Sequence, residues 1–308
     1  MDLKTLTEIN APSGHEQAIR RFLLDELKKL GFAPVLDRMG NVVVVKEGTG
    51  DAPRKRVMVS AHMDEVGLIV TSATEDGYLR IAAAGGIDPR VLVSKRVTVG
   101  EDKLPGVIGA VPIHLQSAAE RKHVLSMDEL LVDIGAKNKD EAERKAPMGT
   151  YISFDTPYVE YGDGFACGKA FDDRVGCLSL LRLLQEELPV DLVACFVSEE
   201  EVGCRGAKGA AFQQEPDIGI VLEGTTCNDL GDVPETAHVC EAGQGVTVSF
   251  MDGASIANRA LFRKALDVAK QENIPHQVKH SVSGGNDGGA IQFINKAWLD
   301  KLSLEMPT

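Results

Sequence analysis

The sequence lacks a long apolar run, an excess of basic residues and a closely spaced cysteine pair. No window approaches about eighteen uninterrupted apolar residues, the length of a membrane-spanning helix. The chain starts with "MDLKTLTEIN", which carries charges early instead of an apolar signal core, so we expect neither export nor a membrane span. Lysine and arginine total 33 against 46 aspartates and glutamates, and the formal net charge is -13. This charge disfavours nucleic acid and anionic lipid as partners, and it favours cations.

Cysteine is present but is not arranged for cross-linking. The six cysteines are scattered at positions 167, 177, 195, 204, 227 and 240, without any Cys-x-x-Cys pair. They lie in segments that are typical of core strands and helices. Together with the missing export signal, this predicts reduced and mostly buried thiols in a cytoplasmic protein, and not disulfides or a zinc knuckle.

Hydrophobic periodicity predicts an α/β protein. "APSGHEQAIRRFLLDELKKLG" indicates a helix, with a capping box at Ser13 and Glu16 and a C-terminal stop at Gly31. "NVVVVK" and "RVMVSAH" are apolar on both faces, as expected of strands in a sheet that helices cover. From residue 171 onward, segments such as "DRVGCLSLLRLLQEEL", "DLVACFVS" and "DIGIVLEG" alternate between helix and strand. This alternation indicates helices layered on a sheet.

The pattern changes in the middle of the chain. "GYLRIAAAGGIDPRVLVSKRVTVGEDKLPGVIGAVPIH" has short strand-like runs that Gly or Pro interrupts every few residues. Since α/β segments stand on both sides of this region, we predict one discontinuous domain, residues 1–70 and 164–308. A small β-rich domain, residues 71–163, is inserted into it.

Four stretches with acidic or histidine side chains share one expected position, the carboxyl end of a buried strand or the start of a helix. They are "SAHMDEVG" with His62 and Asp64, "GKAFDDRVG" with Asp172 and Asp173, "VSEEEVG" with Glu199–Glu201, and "IVLEGTT" with Glu223. In α/β sheets, ligands gather at the carboxyl ends of the strands. Each stretch alone is compatible with a surface pair or a helix cap. Brought together, the carboxylates would repel strongly unless cations lay between them, so the group predicts a metal site.

The ligand types narrow the chemistry. Carboxylates and an imidazole without thiolate suit Zn, Co or Mn, and a bridging carboxylate suits a two-metal hydrolytic site. Such a site lowers the pKa of bound water from 15.7 to about 7. A general base is still needed, and two adjacent glutamates allow one to bind metal while its neighbour transfers the proton.

The motifs resemble a known family. "APSGHE", "AHMDEVG", "GGIDPRVLVSKRV", "AFDDRVG", "EEEVGCRGA", "LEGTTCNDLGDVPE" and "GGNDGGAI" follow the order found in the dinuclear metalloaminopeptidases that form tetrahedral assemblies. This is the glutamyl/lysyl/leucyl aminopeptidase group, whose members are sometimes called endoglucanases. The resemblance implies that His62, Asp172 and Glu223 bind the first metal ion. It implies that Asp172 also bridges to a second ion, which Glu201 binds, and that Glu200 is the general base.

The resemblance carries further expectations. Asp64 is expected to orient the imidazole of His62, and Glu199 is interpreted as a solvated or supporting carboxylate. The implied fold is a mixed sheet flanked by helices, similar to zinc peptidases. The β-rich insertion is expected to mediate dimerisation, from which homo-oligomers up to a dodecamer are built. Peptides are the expected substrates, with two divalent ions (Zn, Co or Mn) as cofactors.

One departure from the family keeps alternatives open. Relatives follow "GGNDGGAI" with a helix, a last strand and a Pro-x-Arg-Tyr-x-His segment whose histidine completes the second metal site, whereas this sequence ends with "KLSLEMPT". We therefore expect the second site to retain Asp172 and Glu201 alone, unless His276 or His280 substitutes. The alternatives to an active aminopeptidase are an impaired, assembly-forming subunit and another amide hydrolase, such as a deacylase or carboxypeptidase.

Overall fold

The computed structural model describes residues 2–282, 284–293 and 300–308. The helices in these residues are α1 (Leu3–Thr7), α2 (Gln17–Lys29), α3 (Lys139–Lys145), α4 (Phe171–Leu183), α5 (Arg205–Gln214), α6 (Arg259–Gln271) and α7 (Asp287–Gln292). The strands in the first half of the chain are β1 (Val35–Leu36), β2 (Val42–Lys46), β3 (Arg56–His62), β4 (Gly67–Ala73), β5 (Leu79–Ala84), β6 (Arg96–Val99), β7 (Leu104–Gly109) and β8 (Leu131–Asp133). Those in the second half are β9 (Tyr151–Phe154), β10 (Val159–Tyr161), β11 (Phe165–Cys167), β12 (Asp191–Val197), β13 (Ile218–Thr225), β14 (Val246–Ser249), β15 (His276–Val278) and β16 (Asp300–Pro307).

The chain forms two compact units. The first, called the sheet unit, comprises Met1–Ile9, Glu16–Asp64 and Ala170–Thr308. The second, called the barrel unit, comprises Asn10–His15 and Glu65–Lys169. The predicted boundary after residue 70 falls inside β4, whereas the two units exchange between Asp64 and Glu65.

The sheet unit contains an eight-stranded mixed sheet in the order β1-β2-β12-β3-β13-β16-β14-β15. Its centre is parallel, because β3 pairs in parallel with both β12 and β13, and β13 pairs in parallel with β16. β2 pairs antiparallel with β12, and β16 pairs antiparallel with β14. The predicted mixed sheet flanked by helices is confirmed, and the ending "KLSLEMPT" forms most of the strand β16, as its pattern indicates.

Apolar burial holds the helices on this sheet. β3 and β12 are buried along almost their whole length, which explains their unbroken apolar sequences. One core cluster joins Met58, Val193 and Val221 of the central strands to Ala207 of α5 and Ile291 of α7. Burying a side chain of the size of valine or methionine stabilises the fold by about 1.5–3 kcal/mol. The small alanines of α5 allow this helix to lie close to the sheet.

The barrel unit is a closed antiparallel barrel in the strand order β4-β5-β8-β7-β6-β9, with β10 and β11 forming a separate hairpin. Its interior is filled by alternating aliphatic side chains, including Leu68, Ile81, Val97, Ile108 and Val132. Closure leaves none of the six barrel strands with an unpaired edge, which suits short strands interrupted by Gly and Pro.

The first long helix departs from its predicted start. α2 begins at Gln17 with Glu16 at its N-cap, so the predicted helix start at Ser13 is wrong. Pro12 forms a parallel bridge with Glu65, and the backbone N–H of Ser13 donates to the carbonyl of Glu65. This pairing holds residues 10–15 in the barrel unit and prevents them from entering the helix. The helix stops where predicted, with Gly31 at a φ of 88° that favours glycine.

None of the described helices is both long enough and apolar enough to cross a bilayer.

Candidate metal centre

Neighbouring parallel strands bring the candidate residues of the sheet unit together. His62 is the last residue of β3, and Glu223 lies near the end of β13, which pairs with β3. β12 pairs with the other side of β3 and ends just before Glu200 and Glu201. Asp172 is the second residue of α4, which contacts both β3 and β13. The carboxyl ends of three adjacent strands therefore supply one cluster, as the strand-end rule predicts.

The imidazole of His62 lies at the centre of this cluster and is almost fully buried. Its Nε2 is 3.0 Å from Oδ1 of Asp172 and 3.1 Å from Oε1 of Glu223. Its Nδ1 is 3.1 Å from the backbone carbonyl of Asp64 and 3.4 Å from the Oδ1 atom of Asp64. One ring nitrogen thus faces two carboxylates, while the contacts of the other fix the orientation of the ring.

The carboxylate of Asp64 links His62 to the loop that follows β12. Its Oδ1 accepts a hydrogen bond from the N–H of Glu200 at 3.0 Å, and its Oδ2 accepts one from the N–H of Glu201 at 3.2 Å. The side chain is fully buried, so both interactions are shielded from water. Asp64 therefore positions the backbone of the adjacent glutamates as well as the imidazole.

The three consecutive glutamates have different surroundings. Glu199 forms an ion pair with Arg205, with an Oε2–Nη1 distance of 3.0 Å. Glu200 accepts a hydrogen bond from the thiol of Cys204 at 3.2 Å. A ligand oxygen of Glu201 lies within 4.8 Å of ligand atoms of both His62 and Asp172. Glu201 is therefore the member of the run that shares a possible metal position with the imidazole.

The pKa values of two carboxyl groups in the cluster are raised. Burial, reinforced by the negative charges of Asp172 and Glu200, raises the pKa of Glu201 to about 8. Burial also raises the pKa of Glu223 well above its ordinary value, and the charge of Asp172 adds to this. Neighbouring carboxylates cannot all be ionised in a buried site unless positive charge accompanies them.

The pKa of Asp172 is lowered and the pKa of His62 is raised, so both shifts favour the charged form. Burial is the largest single effect on Asp172 and opposes its ionisation. The hydrogen bonds that its carboxylate makes and the positive charge of His62 together outweigh burial and lower its pKa to about 2. Burial would lower the pKa of His62, yet the carboxylates of Glu223, Asp172 and Asp64 raise it well above the ordinary value. The carboxylates that would attract a divalent ion thus also favour the charged form of the imidazole.

The residues present fit a metal ion. Two sets of three ligand atoms lie within 4.8 Å of one another, namely His62 with Asp173 and Glu223, and His62 with Asp172 and Glu201. The buried Oε2 of Glu223 has no hydrogen-bond partner among the described residues, which leaves a lone pair available. Carboxylate oxygens with one imidazole form a ligand set that suits Zn, Co or Mn. The side chain of Asp172 is half exposed and so remains accessible to an ion or a substrate.

Sequence reasoning assigned no role to three further residues of this region. Asp173 is fully buried, and its Oδ2 accepts a hydrogen bond from the N–H of His62 at 3.1 Å. Asp287 and Cys204 form a third set of close ligand atoms with Glu200. "AFDDRVG" and "GGNDGGAI" already marked both aspartates as part of unusual motifs, but only the folded chain shows what they contact.

The substitute histidines considered from the sequence do not join the cluster. Among the described residues, the sets of three close ligand atoms contain neither His276 nor His280. The Nδ1 of His276 lies 2.8 Å from the carbonyl of Ile274, and His280 is exposed.

A cavity of about 210 Å³ opens beside the cluster, within the sheet unit. Its wall includes Asp172 and Glu223, and also Lys279 and Glu305, whose charged atoms are 2.9 Å apart in a buried ion pair. This volume is below the roughly 300–1,000 Å³ of pockets for drug-sized ligands.

Comparison with known proteins identifies the family and the fold of this chain. Residues 40–299 match the family model described as M42 glutamyl aminopeptidase. The glutamyl aminopeptidase of Lactococcus lactis subsp. cremoris is 33% identical over 305 residues, covering 95% of this chain and 84% of that protein. The structure of a TET aminopeptidase from a marine sediment Thaumarchaeota archaeon superposes with a TM-score of 0.92 at 31% identity, covering 99% of this chain and 87% of the other.

A further structural relative is described as forming large assemblies. It is the TET1 peptidase of Pyrococcus horikoshii, described as able to form a tetrahedron or a large octahedral shell. It superposes with a TM-score of 0.86 at 32% identity, covering 99% of this chain and 89% of that one. The family match, the shared fold and the cluster of potential metal ligands lead to one conclusion: this chain belongs to the M42 glutamyl aminopeptidase family and is a metal-dependent aminopeptidase.

Proposed function

We propose that the cluster holds two divalent ions and that the protein removes single residues from the N-terminus of peptides. His62, Asp172 and Glu223 would bind the first ion, and Asp172 and Glu201 would bind the second. The observation that carries this proposal is the position of His62 Nε2, 3.0 Å from Asp172 and 3.1 Å from Glu223, with Glu201 within 4.8 Å. Zn, Co and Mn all suit these ligands.

Glu200 is the general base in this proposal. It lies in the turn that follows β12, and its backbone N–H donates a hydrogen bond to Asp64. It lies outside both sets of ligand atoms around His62. Burial raises the pKa of its carboxyl, with the charges of Asp64 and Asp172 adding to this effect. A carboxylate with a raised pKa accepts a proton from water more readily and can then donate it to the leaving amine.

The other residues of the chain position these groups. Bound metal ions would supply an activated water and polarise the scissile carbonyl. Asp64 keeps the imidazole of His62 and the backbone of Glu200 in place, and Asp173 holds the backbone N–H of His62. The cavity beside Asp172 and Glu223 would receive the side chain of the first residue of the peptide.

The proposed assembly is a homo-oligomer built through the barrel unit. A groove of about 670 Å³ in this unit is lined by exposed apolar side chains, among them Val111, Ile113 and Val124. An exposed apolar surface of this kind is typical of protein interfaces. The tetrahedron and octahedral shell described for the Pyrococcus horikoshii relative make a second copy of this chain the best candidate partner. We also retain a cytoplasmic location as a prediction.

Paired substrates test the proposed reaction. Glutamyl, lysyl and leucyl p-nitroanilides would be assayed beside their N-acetylated counterparts, after metal removal and reloading with Zn, Co or Mn. We expect hydrolysis of the free-amine forms, no hydrolysis of the acetylated forms, and two ions per chain by elemental analysis. Equal hydrolysis of the acetylated forms would establish another amide hydrolase. A fully loaded protein that cleaves none of the panel would support the impaired-subunit alternative.

A further inference from the structure

A third group of potential ligands lies outside the proposed metal pair. It consists of Glu200, Cys204 and Asp287, and the ligand atoms of these three side chains all lie within 4.8 Å of one another. The Sγ of Cys204 is 3.2 Å from Oε1 of Glu200. Around a tetrahedral zinc ion, the usual Zn–S and Zn–O bond lengths place a sulfur and an oxygen ligand about 3.6 Å apart. These two atoms are therefore already close to the spacing that a shared ion requires.

Asp287 supplies an independent indication of a ligand. Its side chain is 1% exposed, and neither carboxylate oxygen has a hydrogen-bond partner among the described residues. A buried carboxyl group without a hydrogen-bond partner destabilises the fold, because it has lost its hydration without a compensating interaction. This side chain is aimed at Cys204 and Glu200, so a cation bound there would satisfy it.

Local structure holds the three side chains together. The turn after β12 is closed by hydrogen bonds from the N–H groups of Gly203 and Cys204 to the carbonyl of Glu200, both 2.8 Å long. This turn brings Cys204 back to the residue four positions before it. Asp287 is the first residue of α7, which packs against α5, and Cys204 immediately precedes α5. The group is thus built from a hydrogen-bonded turn and the first residue of a helix.

The charge of the region favours a third cation. Seven carboxyl groups act electrostatically on His62 or hydrogen-bond to it: Asp64, Asp172, Asp173, Glu200, Glu201, Glu223 and Asp287. Two divalent ions carry four positive charges against these seven carboxyl groups, so a third cation would further reduce the repulsion among them. Thiolate and carboxylate together suit zinc or cadmium better than a hard ion such as magnesium.

We infer that Glu200, Cys204 and Asp287 form an inhibitory site for a thiophilic divalent cation such as Zn²⁺ or Cd²⁺. On binding, a sulfur–metal bond forms, Cys204 loses its thiol proton to bulk water, and no oxidation or reduction occurs. Glu200 then binds metal and can no longer transfer a proton. The inhibition rests on the proposed role of Glu200, whereas the binding itself does not.

Cadmium spectroscopy tests the binding. The metal-loaded protein, freed of excess ions, would be titrated with Cd²⁺ while the ultraviolet thiolate-to-metal absorption is recorded. The proposed catalytic pair contains no sulfur, so exchange of ions there produces no such absorption. We expect saturation at one equivalent for wild type, no absorption for Cys204→Ser, and about 10–100-fold weaker binding for Asp287→Asn, the effect typical of losing a supporting metal contact.

Cys227 and Cys240 are the main competing thiols, because their sulfur atoms are 3.7 Å apart. Cys227→Ser is the matched control and should leave the absorption unchanged. Absorption that survives in Cys204→Ser, or that disappears in Cys227→Ser, overturns the proposal. A melting curve for each variant shows whether it is folded, and Asp287→Asn reports on the site without altering any thiol.

Inhibition by excess zinc is measured separately. In the metal-loaded enzyme, excess Zn²⁺ should reduce the kcat of wild type. For Cys204→Ser, the zinc concentration that gives half inhibition should be higher by at least about tenfold. Equal inhibition of both proteins contradicts the inhibitory role. If wild type cleaves no peptide, the proposed function fails, while the cadmium titration still decides whether the site exists.

Discussion

The carboxylate of Asp64 accepts a hydrogen bond from the backbone N–H of Glu200 at 3.0 Å, with both groups in the sheet unit. The other oxygen of Asp64 accepts a hydrogen bond from the N–H of Glu201, so one buried side chain positions the backbone of both glutamates. His62 contacts the same residue through its Nδ1. The proposed base, a proposed ligand and the central imidazole therefore depend on one carboxylate.

Asp64→Asn should separate this positioning role from charge. An amide presents one oxygen and one NH₂ group, so an N–H of Glu200 or Glu201 would face a second donor. Leaving a buried donor unsatisfied costs about 1–3 kcal/mol, and we expect a lower melting temperature and a clear loss of kcat. Thermal unfolding and metal content would be measured together. A variant that melts like wild type and keeps full activity would show that these hydrogen bonds do not position the site.

Glu200→Gln should lower kcat by roughly 10²–10⁴-fold, with the metal content retained, because it removes proton transfer and little else. Glu199→Gln is the matched control in the same run, since Glu199 pairs with Arg205 instead of joining the cluster. We expect Glu199→Gln to stay near wild type, because exposed ion pairs contribute about 0–1 kcal/mol. The assignment fails if the control loses as much activity as Glu200→Gln.

Strand ends made the main cluster predictable from sequence. β3, β12 and β13 are neighbouring parallel strands, so the polar residues at their ends had to meet at one edge. The place of Asp287 was not predictable in this way, because it depends on the packing of α7 against α5. The helix start predicted at Ser13 was wrong for a similar reason: the local pattern favours a helix start there, but pairing with Glu65 prevails. Periodicity identifies faces and ends, whereas contacts between distant segments require the fold.

The acidic cluster should make the stability of the metal-free protein depend on pH. The pKa values of Glu201, Glu223 and Asp173 are raised in the folded state, Glu201 to about 8. Such groups stabilise the fold while protonated, so this stability is complete below the unfolded-state pKa of about 4.3 and is lost as the pH rises towards 8. In chelator, the melting temperature should therefore fall between about pH 4.3 and 8.

Metal ions should weaken this pH dependence, because they replace the protons with positive charge. With saturating Zn²⁺ or Mn²⁺, we expect the melting temperature to fall much less over the same pH range. Glu201→Gln should flatten the curve in chelator, since it removes one of the titrating groups. If chelator and metal give parallel curves, the cluster is not where the ions bind.

The apolar groove of the barrel unit predicts a specific assembly defect. Ile113 is 69% exposed on this groove, so Ile113→Asp should place a charge in the proposed interface and yield a smaller species by size-exclusion chromatography with light scattering. Phe212 is 72% exposed on α5 in the sheet unit, and Phe212→Asp is the control that should leave the mass unchanged. An unchanged mass for Ile113→Asp, or dissociation by the control, argues for a different interface.

Gly176 provides a structural test of how Asp173 supports His62. Oδ1 of Asp173 accepts a hydrogen bond from the N–H of Gly176 at 2.9 Å, and its Oδ2 accepts one from the N–H of His62 at 3.1 Å. A Cβ added at Gly176 would overlap the carboxylate of Asp173. Because Asp173 is fully buried, it can yield only by shifting the backbone of His62 or α4.

Gly176→Ala should therefore lower both stability and metal binding, although an alanine in an open helix position is usually stabilising. Overpacking a buried site costs about 1–3 kcal/mol, and the moved imidazole should bind its ion more weakly. Gly231→Ala is the matched control, because among the described residues, apart from its two chain neighbours, no atom lies within 4 Å of the added Cβ there. Elemental analysis after dialysis and thermal unfolding would be compared for the two variants. If Gly176→Ala binds metal as tightly as Gly231→Ala, then Asp173 does not hold His62 in its binding position.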